Sequence, residues 1–178
     1  MNAELTKFNA KRREDGKPEI KIGIGVSSGE VFCGNIGSEN RFEYTVIGDA
    51  VNVASRLESS TKEYGLTNLV SDSTFAEIEA SGYPVQVINE METGKIRERF
   101  EKPQLFLREV DVVRVAGKED VTRLFEVIGH GCSLSDEVSE TKLRALQFYA
   151  QALTAYRERD VMLAFELFEK AADDGDVP

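Results

Sequence analysis

The sequence predicts an α/β sandwich with a mixed sheet, followed by a small helical module. Three observations predict it: strand-like apolar patterns from residue 20 to 48 and again from 83 to 128, helical periods that interrupt them between residues 49 and 81, and purely helical periodicity over 141–173. Residues 2–15 read as the end of a helix, with Leu5 and Phe8 on one side and "DGKP" as its breaker. Ile20, Ile22, Ile24 and Val26 then alternate with Lys21, Gly23 and Gly25, "SSGE" reads as a turn, and Val31 to Gly34 read as the returning strand of a hairpin. "FEYTVIG" is a further strand. A helix follows over 49 to 64, with Asp49 as its expected cap and Ala50, Val53, Ala54, Leu57 and Tyr64 as its apolar stripe. "LTNLVSD" is a strand, and "STFAEIEAS" is a short helix capped by Ser73 or Asp72, with Glu77 nearby. Three more strands are expected in "YPVQVINEM", "QLFLREVDVVRV" and "VTRLFEVIG", with "AGKED" as a tight turn before the last.

The division expected is a domain over 1–130 and a helical tail over 131–178. In the tail, Phe148, Ala152 and Ala155 or Tyr156, then Ala164, Phe168 and Ala171, resemble one tetratricopeptide repeat. Its tyrosine stands one place late, and a plain helical hairpin packed on the domain reads equally well.

Composition narrows the function. A chain of 178 residues, 41% hydrophobic and 30% charged, has the balance of a globular domain. Its net charge of −10 argues against a nucleic-acid surface and against direct contact with anionic membranes. No apolar run has the length of a membrane span, and the polar N-terminus is unlike a signal peptide, so a cytoplasmic location is expected, with anchoring of a longer protein left open. Cys33 and Cys132 are too far apart for a paired metal motif. Gly23, Gly25 and Gly29 form G-x-G-x-x-x-G, which misses the dinucleotide fingerprint, so the glycines read as places of close backbone approach. His130 reads as a residue of a glycine-rich linker without a catalytic partner.

Asn52 and Arg56 lie one turn apart on the side of the 49–64 helix away from its apolar stripe. Packing does not call for them there. The surrounding stretch, "IGIGVSSGEVFCGNIGSENRFEYTVIGDAVNVASRLESSTKEYG", resembles the second half of the class III nucleotidyl cyclase catalytic domain in its bacterial adenylate cyclase form, and the resemblance extends over residues 2 to 128. It implies a ferredoxin-like α/β fold, N-terminally truncated in this chain, that dimerises head to tail with its active sites between protomers. ATP would be cyclised to cyclic AMP and pyrophosphate, with Asn52 positioning the ribose and Arg56 stabilising charge on the α-phosphate.

The same resemblance places Thr45, with Val46 beside it, at the adenine and implies Mg2+ or Mn2+ as cofactor. It puts the metal-binding aspartates and an adenine-reading lysine ahead of Met1, so the chain alone is expected to turn over no ATP and to form a dimer or higher oligomer that covers an exposed sheet edge. Ala116 stands where relatives carry a triphosphate-holding lysine, and Lys118 shares its strand parity and is the expected substitute. Two other readings stand beside this one: a degenerate cyclase-like regulatory domain, and a docking module that meets a protein partner through the helical tail.

Overall fold

The computed structural model describes residues 2–38, 41–91, 95–114 and 121–174. The first helix, α1, spans Asn2–Glu14. A five-stranded sheet has the order β1-β4-β7-β6-β5, formed by Ile24–Val26, Asn68–Ser71, Val121–Gly131, Gln104–Arg114 and Val85–Val87 respectively. A separate antiparallel pair joins β2, Phe32–Ser38, to β3, Arg41–Ile47. The remaining helices are α2 over Asp49–Glu63, α3 over Asp72–Ala80, α4 over Glu140–Arg157 and α5 over Val161–Asp173. The α/β class with a mixed sheet and a C-terminal helical pair is as predicted, because β1–β4 and β5–β6 are parallel while β4–β7 and β6–β7 are antiparallel.

The predicted hairpin over 20–34 does not form. Residues 20–23 run beside α1, where the Asn9 side-chain amide donates to the Ile20 carbonyl at 2.8 Å and accepts from its N–H at 2.9 Å. Only Ile24–Val26 enters the sheet, as an edge strand parallel to β4. The serines that were read as the turn are fastened to the start of α3 instead: the Ser71 hydroxyl donates to Ser27 Oγ at 3.2 Å, and Ser73 donates to the Ser28 carbonyl at 2.9 Å. Side-chain hydrogen bonds compete here with strand pairing and direct the chain away. The hairpin that does form is β2–β3.

Two caps and one strand also differ from expectation. Gly48 is the N-cap of α2 and gives no side-chain bond, so Asp49 stands in the first turn, where its charge meets the positive end of the helix dipole. Ser71, not Ser73 or Asp72, caps α3 by accepting from the Thr74 N–H at 3.2 Å. The strand expected over 83–91 stops at Val87 and continues as a 3-10 turn over Ile88–Glu90. There the Asn89 amide substitutes for a ladder, donating to the Glu109 carbonyl at 3.2 Å and accepting from the Glu109 N–H at 2.8 Å. The turn predicted at "AGKED" lies outside the described residues.

Both faces of the sheet are covered. On one, Phe75 of α3 stacks on Phe125 with ring centroids 4.6 Å apart, over Val70, Val87 and Leu107. On the other, alternation along β6 and β7 puts Phe106, Arg108 and Val110 beside Leu124, Glu126 and Ile128. There Val53 and Leu57 of α2 cover Leu69, Val110 and Leu124, while Leu143 and Leu146 of α4 cover Phe106 together with Ile88, Ile96 and Leu134. Between these two clusters Arg108 and Glu126 form a buried ion pair at 2.7 Å.

The tail is therefore packed on the sheet through α4, with α5 folded back against it. Ala152, Ala155, Ala164 and Ala171 are buried, as the spacing predicted, whereas Tyr156 is 61% exposed. The Tyr149 hydroxyl ties α4 to β6 by donating to the Val110 carbonyl at 2.6 Å. Arg157 adds an ion pair to Glu109.

Candidate functional site

The site is built on α2. Val53, Leu57 and Thr61 recur on one side of the helix and are buried against the sheet, so helical geometry turns Asn52 and Arg56 outward, and both are exposed. Thr61 belongs to the buried side although a threonine does not announce itself as core; its hydroxyl bonds back to the Glu58 carbonyl at 2.6 Å, which satisfies it inside the helix. The helix lies directly on β1. A Cβ added at Gly25 would stand 2.0 Å from the Ala54 carbonyl oxygen and 2.5 Å from the Glu58 nitrogen, so only glycine lets the two backbones approach this closely.

Its far end is held by a side chain that the sequence reading placed in the apolar stripe. Tyr64, the C-cap residue of α2, donates to Asp111 Oδ2 at 2.6 Å. Burial, then the hydrogen bond to Asp111 and its charge, hold the Tyr64 phenol well above the usual tyrosine value. The folded protein thus keeps this proton to higher pH than the unfolded chain does. That contribution to stability is complete below the unfolded value of 10 and is lost as pH rises past it towards the folded value. Tyr64→Phe is expected to cost about 1 kcal/mol at neutral pH, since the phenol is only half-buried. In denaturant titrations at increasing pH, the gap between wild type and variant should narrow above pH 10; a gap that stays constant would show that the bond to Asp111 does not set the phenol's titration.

Arg56 lines a groove of about 380 Å3 between α2 and the end of β6, with Ser59, Ser60, Glu63 and Arg114 also on its wall. Arg114 was missed in the sequence reading. Its signal was parity: in a continuing strand it would share a side with Ala116 and Lys118, which lie outside the described residues. Two guanidiniums on one groove suit an anionic ligand, because each offers a fixed fork of charged donors.

Thr45 and Val46 are exposed on β3, opposite Gly34 and Cys33 of β2. They immediately precede the α2 turn on the projecting hairpin, but they are not on the wall of the Arg56 groove. Phe32, Tyr44 and Ile47 leave the same hairpin with large apolar side chains more than half exposed. His130 is not in a linker: it lies near the end of β7, with the Tyr83 hydroxyl at its Nε2. Among the described residues no three His, Cys, Asp or Glu side chains converge on a point that would hold a metal ion. The described residues therefore do not fit a Mg2+ or Mn2+ site, whose oxygen-donor chemistry calls for carboxylates. Among the described residues no helix is long and apolar enough to cross a membrane.

Comparison with known proteins adds the lineage. The adenylate and guanylate cyclase catalytic domain profile matches residues 1–107. An adenylate cyclase of Anabaena cylindrica is 35% identical over 133 residues, which is 71% of this chain and 22% of that protein. Adenylate cyclase 1 of Rhizobium meliloti is 41% identical over 77 residues, 43% of this chain and 12% of its own length. The terminal-differentiation specific adenylate cyclase of Dictyostelium discoideum is 29% identical over 84% of this chain and 6% of its own. The chain thus spans less than a quarter of the length of each of these relatives. The crystal structure of the guanylyl cyclase Cya2 aligns over 71% of this chain and 52% of that one, at 28% identity and a TM-score of 0.47. With the profile covering more than half its length, the chain belongs to the adenylate and guanylate cyclase catalytic domain family of class III nucleotidyl cyclases.

Proposed function

We propose that this chain is the nucleotide-orienting part of an adenylate cyclase that converts ATP to cyclic AMP and pyrophosphate. The observation that carries the reading is the outward pair Asn52 and Arg56 on a helix held along its middle by the glycine backbone of β1 and at its C-terminal end by Tyr64 on Asp111. Support also comes from relatives named as adenylate cyclases.

In the reaction, the ribose 3′-oxygen forms a bond to the α-phosphorus, the bond from that phosphorus to the bridging oxygen breaks, pyrophosphate leaves, and the hydroxyl proton passes to solvent or a base. Asn52 holds the ribose by an amide hydrogen bond, so that the attacking oxygen is presented in line. Arg56 places its guanidinium against the α-phosphoryl oxygens, where negative charge grows in the transition state. Arg114 and Lys118 contribute positive charge toward the triphosphate. A divalent ion would supply polarisation of the phosphate, and among the described residues no three donor side chains converge to hold one.

Arrangement as a head-to-tail dimer follows from the same reading. The exposed apolar side chains of the β2–β3 hairpin, with Tyr44 at 74% and Phe32 at 65%, are suited to burial against a second protomer, which would also bring Thr45 and Val46 towards a shared cleft. The Thr45 hydroxyl then accepts from the adenine amino group. The test is made in a catalytic assembly that includes the metal carboxylates, where ATP should yield cyclic AMP and pyrophosphate in equal amounts. Thr45→Ala should narrow the preference for ATP over GTP in kcat/KM by about 1–3 kcal/mol. An unaltered preference would reduce Thr45 to a strand residue, and release of inorganic phosphate instead of pyrophosphate would reject the cyclase reading itself.

A further inference from the structure

Where the end of α2, the middle of β6 and the helical tail meet, the structure contains an open cavity of about 490 Å3, with neither Asn52 nor Arg56 on its wall. Tyr64, Tyr149, Tyr156, Phe165 and Phe168 give it five aromatic walls, Asp111 and Glu169 give it two carboxylates, and no lysine, arginine or histidine lines it. The volume is in the usual range for small-molecule sites.

Several of these groups are fixed in place without a ligand. Tyr149 is held by its bond to the Val110 carbonyl and meets Phe168 edge-on, with ring centroids 5.3 Å apart. Asp111 accepts from Tyr64 at 2.6 Å and from the Val112 N–H at 2.7 Å. Two neutral donors leave its negative charge uncancelled. Cations on the same elements are matched elsewhere: Arg108 of β6 with Glu126, Arg157 of α4 with Glu109, and Lys170 of α5 with Glu166. Arg108 also lies 4.7 Å from the centroid of the Tyr149 ring, so one ring of this wall already receives a cation on its sheet side. On the open side Tyr156 and Phe165 are each 61% exposed, so their rings are accessible to a ligand.

Aromatic faces and carboxylates without a competing cation attract positive charge, and the apolar walls favour a cation that is weakly hydrated. We propose that this cavity binds a small organic cation of the alkylated-ammonium class, with the charge between the aromatic rings and the two carboxylates. The cavity shares Tyr64 with the wall of the Arg56 groove, but the proposal does not rest on the cyclase reading.

The test uses the whole chain with choline as the probe and dimethylbutanol, its uncharged carbon isostere, as the control, followed by the ring signals of the tyrosines and phenylalanines in NMR spectra. Choline should shift the signals of Tyr64, Tyr156 and Phe165 saturably in the millimolar range, and dimethylbutanol should bind about three- to tenfold more weakly. Glu169→Gln and Phe165→Ala, both at exposed positions and checked for folding by circular dichroism, should each weaken choline by about three- to tenfold. Glu169→Gln should leave dimethylbutanol unaffected. Equal binding of the two probes, choline binding that ignores both variants, or shifts that a lysine-rich peptide produces and choline does not, would each overturn the proposal.

Discussion

Arg56→Ala, introduced into a catalytic assembly that includes the metal carboxylates, is expected to lower kcat for cyclic AMP formation by about a hundred- to a thousand-fold while KM for ATP changes by no more than about threefold. The asymmetry follows from when the interaction matters. In bound ATP the α-phosphoryl group shares its charge with two neighbouring phosphates, and Arg114 stands on the same groove wall as Arg56. As the 3′-oxygen attacks, charge concentrates on the α-phosphoryl oxygens, and a guanidinium already in place stabilises that charge without reorganising. Arg56 can be in place because its helix is packed through Val53 and Leu57 and ended by Tyr64. Arg56→Lys should recover little, since an ammonium lacks the planar fork. Equal losses in kcat and in ATP affinity would show that Arg56 only binds the substrate. Circular dichroism should be unaltered in both variants, because the residue is exposed and contributes nothing to the core.

How far these features could be read in advance depends on whether their cause is local. The outward placement of Asn52 and Arg56 was legible, because an amphipathic helix fixes which side is buried by its period alone. The buried alanines of α4 and α5 were legible for the same reason. The mistaken hairpin was not a failure of the alternation, which is present in Ile20 to Val26. It failed because Asn9, Ser71 and Ser73 take the neighbouring backbone and hydroxyl groups into bonds spanning 11 to 45 positions of sequence, which no local window contains. Tyr64 was assigned to the right face for an incomplete reason: its ring packs with the core as the stripe required, but its hydroxyl finds Asp111, 47 positions away. Arg114 has the same character. Only the antiparallel return of β7 and the seat of α2 beside β6 bring it onto the wall that Arg56 lines.

Gly25→Ala should be a severely damaging change, because the added methyl meets backbone and not a side chain that can move. The added Cβ would stand 2.0 Å from the Ala54 carbonyl oxygen, 2.5 Å from the Glu58 nitrogen and 3.0 Å from the Leu57 Cβ. Ala54 and Glu58 are four apart, so the methyl intrudes on the helical hydrogen bond that spans Arg56. Backbone cannot swing aside as a side chain would. Either α2 lifts from β1, uncovering Val53 and Leu57, or the short β1 strand leaves its pairing with β4. Overpacking of this kind costs about 3 kcal/mol or more, enough to lower Tm by roughly 6–12 °C in a chain of this size. Gly29→Ala is the matched comparison, since its new Cβ would meet only the Ala50 methyl, at 3.0 Å, and it should cost less than about 1 kcal/mol. The two variants differ again in activity. In the catalytic assembly Gly25→Ala should depress kcat even at temperatures where it remains folded, because the lifted helix carries Arg56 out of reach of the α-phosphate, and a shift of about 1 Å is enough to cost a hundredfold. A Gly25→Ala protein as stable and as active as Gly29→Ala would mean that α2 does not rest on the β1 backbone, and the placement of Asn52 and Arg56 would lose its structural cause.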